Sequence, residues 1–199
     1  MHTQGHSKMV VAALTAALSG LARSLRMPFA VARPADRYFL ESTLLPTRDA
    51  ELSVRRLLFV GCATYTQHYP QLFRQTEFWT MEPNRRRARH GATLHIVDKL
   101  QCLSSHVSPA HFDAIVVNGV LGWGLNRRDD AEAAMLACHA SLRPGGLLVL
   151  GWNDFFPRNR IKPVMLHALR RFVPGGLQEF PPRLLLPGPE RHVIEFYCR

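Results

Sequence analysis

The sequence predicts a single α/β domain built around a mostly parallel sheet, and three observations support this fold class. The chain has 199 residues, of which 47% are hydrophobic, which suffices for one domain with a packed core. From Arg55 onward, short apolar runs alternate with helical patterns, as in parallel α/β proteins. Several of these runs are apolar on both faces, which is typical of strands covered by helices on both sides.

Five apolar runs predict the parallel strands, and a later pair predicts a hairpin. The first run is continuous and ends in glycine, as in a buried strand followed by a turn. Two runs in the tail flank a Pro-Gly-Pro turn, which predicts an antiparallel hairpin that finishes the sheet. The predicted strands cover residues 56–61, 77–82, 93–98, 112–118 and 146–152, and the hairpin covers 183–186 and 192–197.

Helical patterns fill the gaps between these strands. Pro70 limits the first helix to a start or a kink, whereas Pro83 suits the first turn of the second. The third helix has Ala131, Ala134 and Met135 on its apolar side and ends at a Pro-Gly-Gly breaker. The predicted helices cover residues 66–74, 83–90, 129–142 and 161–172.

Residues 1–35 are predicted to form an amphipathic helix and a linker, separate from a main domain at residues 36–199. Apolar residues recur at helical spacing between Val10 and Leu25, and Pro28 and Pro34 mark the linker. A signal peptide and a helix lying on a membrane surface are alternatives. A helix packed on the domain or over its cleft is favoured, because the remainder has the pattern of a cytoplasmic enzyme.

The chain is basic, with a formal net charge of +10 at pH 7. A basic surface suits anionic partners such as nucleic acid, acidic lipid or phosphorylated metabolites. Arginine is abundant and lysine scarce, which favours a soluble arginine-rich protein over a dedicated RNA-binding surface. No uninterrupted stretch of about 18 apolar residues is present, so no membrane span is predicted.

The cysteines lie far apart and form no C-x-x-C pair, so neither a metal site nor a disulfide framework is predicted. Most of them lie in apolar stretches, where a reduced cysteine acts as a small core residue. A reducing, cytoplasmic location fits this pattern best. The cysteines are Cys62, Cys102, Cys138 and Cys198.

Ligands of open parallel sheets bind beyond the carboxyl ends of the strands, and the first strand here ends at Gly61. Glu82 ends the second strand 21 positions later, the spacing at which a carboxylate meets a ribose in nucleotide-binding folds. The loop lacks further glycines, and Ala63 and Tyr65 obstruct the approach of a dinucleotide pyrophosphate. The sequence therefore argues against NAD or FAD, while a simple tight turn and a helix-start carboxylate remain alternatives.

The order of motifs along residues 55–199 resembles that of class I S-adenosylmethionine-dependent methyltransferases. The resemblance implies a Rossmann-like, doubly wound and mostly parallel seven-stranded sheet, with an antiparallel last strand and helices on both faces. The first motif departs from the family because it lacks the second and third glycines. The matching segments are 57–64 (first motif), 81–83 (acidic end of strand two), 97–100 (adenine segment), 112–118 ("FD-x-I") and 142–149 ("L-x-P-G-G-x-L"), of which the last is the most specific.

The resemblance also implies S-adenosylmethionine as the cofactor, which has no phosphate and so tolerates a bulkier loop. It implies that Glu82 binds the ribose hydroxyls, that Asp98 holds the adenine amino group, and that Asn118 lies beside the sulfonium. The complete implied cofactor site comprises Gly61, Cys62, Ala63, Thr64, Glu82, Asp98, Lys99, Leu100, Asn118 and Gly119.

Two loops predicted at the same edge, residues 118–126 and 151–154, carry candidate substrate contacts. Their tryptophans can exclude water, stack on a planar substrate or attract a sulfonium, although they can also fill the edge of the core. His68 and Asp154 are the candidate catalytic bases, and no metal is predicted. The candidate substrate-binding residues are Tyr65, Tyr69, Trp123, Trp152 and Asn153.

The favoured function is methyl transfer to an unidentified small-molecule acceptor, in a biosynthetic pathway. An RNA or protein methyltransferase is an alternative that the basic charge supports, although the sequence lacks the D/N-P-P-Y signature of amino-group nucleic-acid methyltransferases. A degenerate methyltransferase fold that serves as a binding or assembly partner is a further alternative, which the incomplete glycine loop supports.

Overall fold

The computed structural model describes residues 34–50, 54–156, 159–175 and 177–199. The helix predicted in the N-terminal segment falls on residues 1–33 and lies outside the described residues, so its position stays a prediction. Within the described ranges, the strands of one sheet are β1 (Arg56–Val60), β2 (Glu77–Met81), β3 (Leu94–Ile96), β4 (Phe112–Asn118), β5 (Leu142–Asn153), β6 (Val173–Pro174), β7 (Arg183–Leu185) and β8 (His192–Cys198).

The strand order is β3-β2-β1-β4-β5-β8-β6, and β7 also pairs with β8. Strands β1 to β5 run parallel to their neighbours, and β8 is antiparallel to β5. This arrangement confirms the predicted Rossmann-like class with an antiparallel strand and a tail hairpin. The sheet has eight strands instead of seven because β6 and β7 lie end to end along one edge of β8, separated by Gly175 at φ +113° and the loop that follows it.

A helical stretch that the sequence analysis did not predict precedes β1. It consists of a short α-helix, a π-helical segment and a second α-helix, and it buries Leu40, Leu44 and Leu45. The helices are α1 (Ala35–Phe39), π-helical Leu40–Leu44, α2 (Leu45–Ala50), α3 (Arg85–Ala88) and α4 (Arg128–Ser141), with 3-10 segments at Thr64–Thr66, Tyr69–Leu72, Leu100–Ser105, Pro163–Met165 and His167–Arg171.

Two of the predicted α-helices are wrong. Residues 66–74 contain one 3-10 segment, Tyr69–Leu72, and the last residue of another, Thr64–Thr66; Pro70, which lacks an N–H, lies in the first turn of the later segment. Residues 161–172 contain two 3-10 segments, since Leu166 is extended (φ −93°, ψ 111°) between them. The helix predicted at 83–90 is shorter than expected and is limited to α3.

The start of β5 is also earlier than predicted, at Leu142. Leu142 pairs with Phe112 across a register shift, and the N–H of Gly145 donates to Arg199 O at 2.8 Å. The Pro-Gly-Gly segment therefore forms an irregular beginning of the strand, because the antiparallel neighbour supplies a hydrogen-bond partner for it. The limits of β4 agree with the prediction, and those of α4 agree within one residue.

Alternate residues of the central strands pack on opposite faces of the sheet, as the strand period requires. Leu58 and Ile115 belong to a core cluster with Met135 of α4. Leu57 belongs to a second cluster with Leu44 of the π-helical segment. Helices on both faces are therefore confirmed. In the described part of the chain, no helix is long and apolar enough to cross a membrane.

Candidate functional site

The carboxyl ends of the central strands meet at one edge of the sheet, which we call the cleft edge. In the register of the sheet, Val60 pairs with Met81 on one side and Val117 on the other, and Asn118 pairs with Gly151. The loops that follow β1, β2, β4 and β5 therefore begin side by side, although they are far apart in the sequence.

A sharp turn follows β1 at the cleft edge. Gly61 has φ +93°, a conformation that favours glycine, and its N–H donates to Met81 O at 2.8 Å. A Cβ at this position would have Val120 Cγ2 as its nearest atom, at 3.8 Å, so the backbone angle and not crowding requires the glycine. Cys62 follows and is buried, which raises the pKa of its thiol to about 11 and keeps the thiol neutral at pH 7.

Glu82 is a buried carboxylate just beyond β2, with 6% of its surface exposed. Its Oε2 accepts the N–H of Cys62 at 3.1 Å, and its Oε1 accepts the N–H of Asn84 at 2.9 Å. It takes part in none of the ion pairs formed by the described residues. A carboxylate has about four acceptor positions, so about two remain for hydroxyl groups of a ligand. The residue therefore fits a ribose diol without losing its contacts to the loop.

The loop after Gly61 is closed by a threonine side chain. Thr66 Oγ1 accepts the N–H of Ala63 at 3.0 Å and donates to Ala63 O at 2.9 Å. Thr64 begins a single 3-10 turn, at the place where nucleotide-binding folds begin an α-helix. The threonine thus orders a loop that has no further glycines.

Asp98 lies in the loop after β3 and is partly exposed. Its Oδ2 lies 2.7 Å from His106 Nε2, and its Oδ1 accepts the N–H of Lys99 at 2.7 Å. The hydrogen bond to His106, together with the Lys99 N–H, holds the pKa of Asp98 below its usual value. Leu100 begins the next 3-10 segment and is buried in the core. An ionised carboxylate at this position fits an amino group such as that of adenine.

The helical stretch before β1 packs on the loop that follows β1. The guanidinium carbon of Arg37 lies 3.6 Å from the centre of the Tyr65 ring. His68 Nε2 lies 3.6 Å from Glu41 Oε1, so this candidate base faces a carboxylate. The structure therefore brings two predicted residues together with two charged residues that the sequence analysis missed, because their helix carries no motif.

Tyr69 and Trp152 are the most deeply buried of the candidate substrate contacts, with 1% and 2% exposure, and Asn153 is also buried. The Tyr69 ring packs edge-on against Phe59 at 5.1 Å, and burial raises the pKa of its hydroxyl. Trp152 lies in the core cluster that contains α4. Their rings contribute to the core instead of to an open wall, whereas Trp123 is 56% exposed.

Asp154 forms ion pairs with Lys162 Nζ at 2.8 Å and Arg191 Nη2 at 3.8 Å. The hydrogen bond from Lys162, with the charges of Lys162 and Arg191, lowers the pKa of Asp154. A carboxylate with a lowered pKa is a weaker proton acceptor. The geometry therefore favours an anchoring role, in which Asp154 ties the loop after β5 to the turn before β8.

Asn118 and Asn153, both predicted at the site, are joined by His192, which was not predicted. His192 Nε2 lies 2.9 Å from Asn118 Oδ1, and Nδ1 lies 3.3 Å from Asn153 Oδ1. Sequence reasoning missed this histidine because the residues that it joins are distant in the chain. Gly119, at φ +65°, follows Asn118 and has open space where a side chain would be.

A cavity of about 350 Å³ opens between the loops that follow β4 and β5. Its volume is within the range of small-molecule sites. Gly122 has φ +83°, and a Cβ there would lie 3.1 Å from Asn159 Cβ, so the wall requires a glycine. The lining residues are Gly122, Asn126, Asn159, Arg160 and Ile161.

No family model and no curated protein matches this sequence. Solved structures do match. The N-methyltransferase NodS from Bradyrhizobium japonicum WM9, in complex with S-adenosyl-L-homocysteine, has a TM-score of 0.58 and 18% identity, over 91% of this chain and 97% of that chain. The 1,6-didemethyltoxoflavin-N1-methyltransferase from Burkholderia thailandensis has a TM-score of 0.54 and 14% identity, over 100% and 91%. A SAM-dependent methyltransferase from Archaeoglobus fulgidus has a TM-score of 0.56 and 12% identity, over 82% and 94%.

The chain has the class I methyltransferase fold. Within this methyltransferase fold, the cleft edge carries the Gly61 turn, the Glu82 carboxylate and the Asn118 amide on neighbouring strands. In the ranges that the structure describes, histidine, cysteine, aspartate and glutamate side chains do not gather in groups of three or more around a possible metal position.

Proposed function

We propose that this protein is an S-adenosylmethionine-dependent methyltransferase that acts on a small-molecule acceptor. The observation that carries the proposal is the buried Glu82 carboxylate, which lies beside the Gly61 turn and keeps acceptor positions for a ribose diol. The class I fold supports the same conclusion, and similar structures contain S-adenosylhomocysteine. S-adenosylmethionine supplies a methyl group on a cationic sulfonium, so the protein has to bind it, orient it and exclude water.

The proposed cofactor-binding residues extend along the cleft edge from the loop after β3 to the loop after β4. Residues 61–64 serve the methionine moiety, Glu82 serves the ribose, and residues 98–100 serve the adenine. Asn118 and Gly119 flank the position of methyl transfer. The positive φ at Gly61 and Gly119 supports these assignments, since it lets the backbone approach a ligand closely.

The proposed acceptor site is the cavity between the loops that follow β4 and β5. Asn126 and Arg160 are polar and exposed, and Ile161 supplies an apolar surface. This combination suits a small molecule with an anionic or carbonyl group. Trp123 belongs to the same loop as Gly122 and is exposed, so its ring can cover a planar acceptor.

His68 is the proposed base for the acceptor, and Asp154 is the proposed anchor. His68 is 42% exposed and lies 3.6 Å from the carboxylate of Glu41, which can orient its ring. The ion pairs of Asp154 favour the anchoring role instead. Positioning of the acceptor by the cavity can supply much of the remaining acceleration.

The test is calorimetric titration with S-adenosylmethionine and S-adenosylhomocysteine. We expect the wild type to bind both with dissociation constants of about micromolar order. Glu82→Gln should weaken binding by about tenfold to hundredfold, because hydrogen bonds to a charged carboxylate are lost. Glu77→Gln is the matched control, since this glutamate lies at the opposite end of β2, is exposed and should leave both affinities unchanged.

Two outcomes would contradict the proposal. A folded wild type that binds neither ligand would contradict a cofactor site, and equal affinities in Glu82→Gln and the wild type would contradict the assigned ribose contact. Radiolabelled methyl transfer to small aromatic acids, to their neutral amides and to a short RNA then tests the acceptor. Transfer to RNA alone would contradict a small-molecule acceptor.

A further inference from the structure

Five polar side chains from separate segments form a hydrogen-bonded chain across the cleft edge, which we call the edge network. Its members come from α1, from the ends of β4 and β5, from the turn before β8 and from the first residue of β8. They are Asp36, Asn118, Asn153, Glu190 and His192.

Both amides donate to carboxylates at the ends of the edge network, Asn153 at a normal hydrogen-bond length and Asn118 at a long one. Asn118 Nδ2 donates to Asp36 Oδ2 at 3.4 Å. Asn153 Nδ2 donates to Glu190 Oε2 at 2.9 Å and to Glu190 O at 3.2 Å. An ionised carboxylate only accepts hydrogen bonds. Each amide therefore turns its NH₂ group toward its carboxylate partner and its oxygen toward the His192 ring. His192 therefore lies between two acceptor oxygens.

The two distances favour Nε2 as the nitrogen that carries the proton of a neutral His192. Nε2 lies 2.9 Å from Asn118 Oδ1, which is the length of a good N–H···O bond. Nδ1 lies 3.3 Å from Asn153 Oδ1, at the long end of the range. The Nε2–H form therefore satisfies Asn118, and Nδ1 is the position for a second proton.

Burial keeps the second proton off the ring at neutral pH. His192 is 6% exposed, and its burial lowers its pKa, although the charges of Asp36 and Glu190 act in the opposite direction. These two carboxylates face it from α1 and from the turn before β8. On the other sides, β4 and β5 present the Asn118 and Asn153 amides and the Gly151 backbone.

We propose that His192 is a positioning residue, which donates from Nε2 to Asn118 and thereby holds both this amide and α1 at the cleft edge. The inference deepens the proposed function, because Asn118 is there assigned to the position of methyl transfer. A neutral ring also leaves no positive charge behind Asn118. A second proton on Nδ1 would place a cation there, which repels the sulfonium of S-adenosylmethionine but not the neutral S-adenosylhomocysteine.

Two variants separate the hydrogen bond from the charge. His192→Gln keeps a donor toward Asn118 but cannot be protonated, and His192→Phe keeps a planar ring without a donor. Ser42→Ala is the control on the same helical stretch, since its hydroxyl donates to Tyr38 O, one turn away.

The first measurement is nitrogen-15 NMR of the imidazole, which we expect to show the Nε2–H form of His192 at pH 7.

The second measurement is hydrogen exchange of the peptide that covers residues 35–44. Exchange should become about threefold to tenfold faster in His192→Phe, because one hydrogen bond is lost, and should stay near the wild-type rate in His192→Gln and Ser42→Ala. An Nδ1–H form or a charged ring at pH 7 would overturn the proposal, as would unchanged exchange in His192→Phe.

The third arm is the affinity of the two cofactor forms from pH 8 to pH 5. In the wild type, the ratio of the S-adenosylmethionine dissociation constant to that of S-adenosylhomocysteine should rise about threefold or more as the pH falls. In His192→Gln the rise should be absent. A rise of equal size in this variant would overturn the charge effect. If the wild type binds neither ligand, the proposed function fails, while the NMR and exchange arms still decide the role of His192.

Discussion

Two carboxylates hold the two ends of β1, and they differ in what else they contact. At the start of β1, Asp113 Oδ2 accepts the N–H groups of Arg55 and Arg56, both at 2.8 Å. Beyond the other end, Glu82 Oε2 accepts the N–H of Cys62 at 3.1 Å. At each end of β1, a carboxylate from a neighbouring segment therefore accepts backbone N–H groups and holds the strand in place.

The difference lies in the partner of the second oxygen of each carboxylate, since Glu82 Oε1 accepts the neutral N–H of Asn84. Asp113 Oδ1 pairs with the guanidinium of Arg143, so both of its oxygens and its charge are used within the protein. Glu82 is more deeply buried, and among the described residues it has no cation to balance its charge. A buried carboxylate without a nearby cation lowers the stability of the folded protein. Such a cost is typical of residues kept for ligand binding. The comparison separates a structural carboxylate from one suited to bind a ligand.

The largest expected effect is crowding at the cleft edge by Gly151→Ala. The added Cβ would lie 1.8 Å from Asn118 Oδ1 and 3.0 Å from His192 Nε2, so Asn118 has to move and its hydrogen bonds break. We expect a loss of about 2–4 kcal/mol in the free energy of unfolding, measured by urea denaturation. Gly124→Ala is the control, because its Cβ would meet Val120 Cγ1 at an ordinary 3.7 Å. Equal losses in both variants would contradict the crowding.

The next effect tests whether Asp113 is purely structural. Asp113→Ala removes the acceptor of two backbone N–H groups and the partner of Arg143, so we expect the free energy of unfolding to fall by about 2–3 kcal/mol. Asp113→Asn keeps an acceptor oxygen and should lose less. Calorimetry on the folded fraction should give the wild-type affinity for S-adenosylhomocysteine. A tenfold loss of affinity would contradict the assignment of Asp113 to a structural role and of Glu82 to ligand binding.

The smallest effect is expected at Asp49, whose carboxylate accepts backbone N–H groups of the segment before β2. Burial raises the pKa of Asp49, but the N–H groups of Gln75, Arg74 and Thr76 outweigh it and lower the pKa below its ordinary value. The stabilisation is therefore present above about pH 4 and disappears as the pH falls through the folded-state pKa. We expect Asp49→Asn to be about 1 kcal/mol less stable at pH 7 and to approach the wild type in acid. A constant difference between pH 7 and pH 2, in urea denaturation, would contradict this account.

The strand ends that carry the proposed cofactor residues were largely predictable from sequence, whereas the residues that line the cavity were not. Gly61, Glu82 and Asp98 each follow an apolar run, so strand ends alone bring them to one edge. Cavity residues such as Asn159 and Arg160 follow no pattern, because they lie in an irregular segment whose position depends on packing. The helices predicted at 66–74 and 161–172 failed for a related reason: Gln67 and His68 separate two 3-10 segments in the first region, and the extended Leu166 separates two in the second.

The sequence by itself determined the order of the five parallel strands along the chain, the parallel core and the carboxylates at the strand ends, because these depend on periodicity and on nearest neighbours in the chain. Only the tertiary structure decided which polar side chains meet. His192 joins Asn118 and Asn153, and α1 brings Asp36 to the same edge. It also decided that Tyr69 and Trp152 lie in the core instead of lining a cleft. Contacts between distant segments depend on how the layers pack, and packing is a property of the assembled sheet and helices, which no local pattern carries.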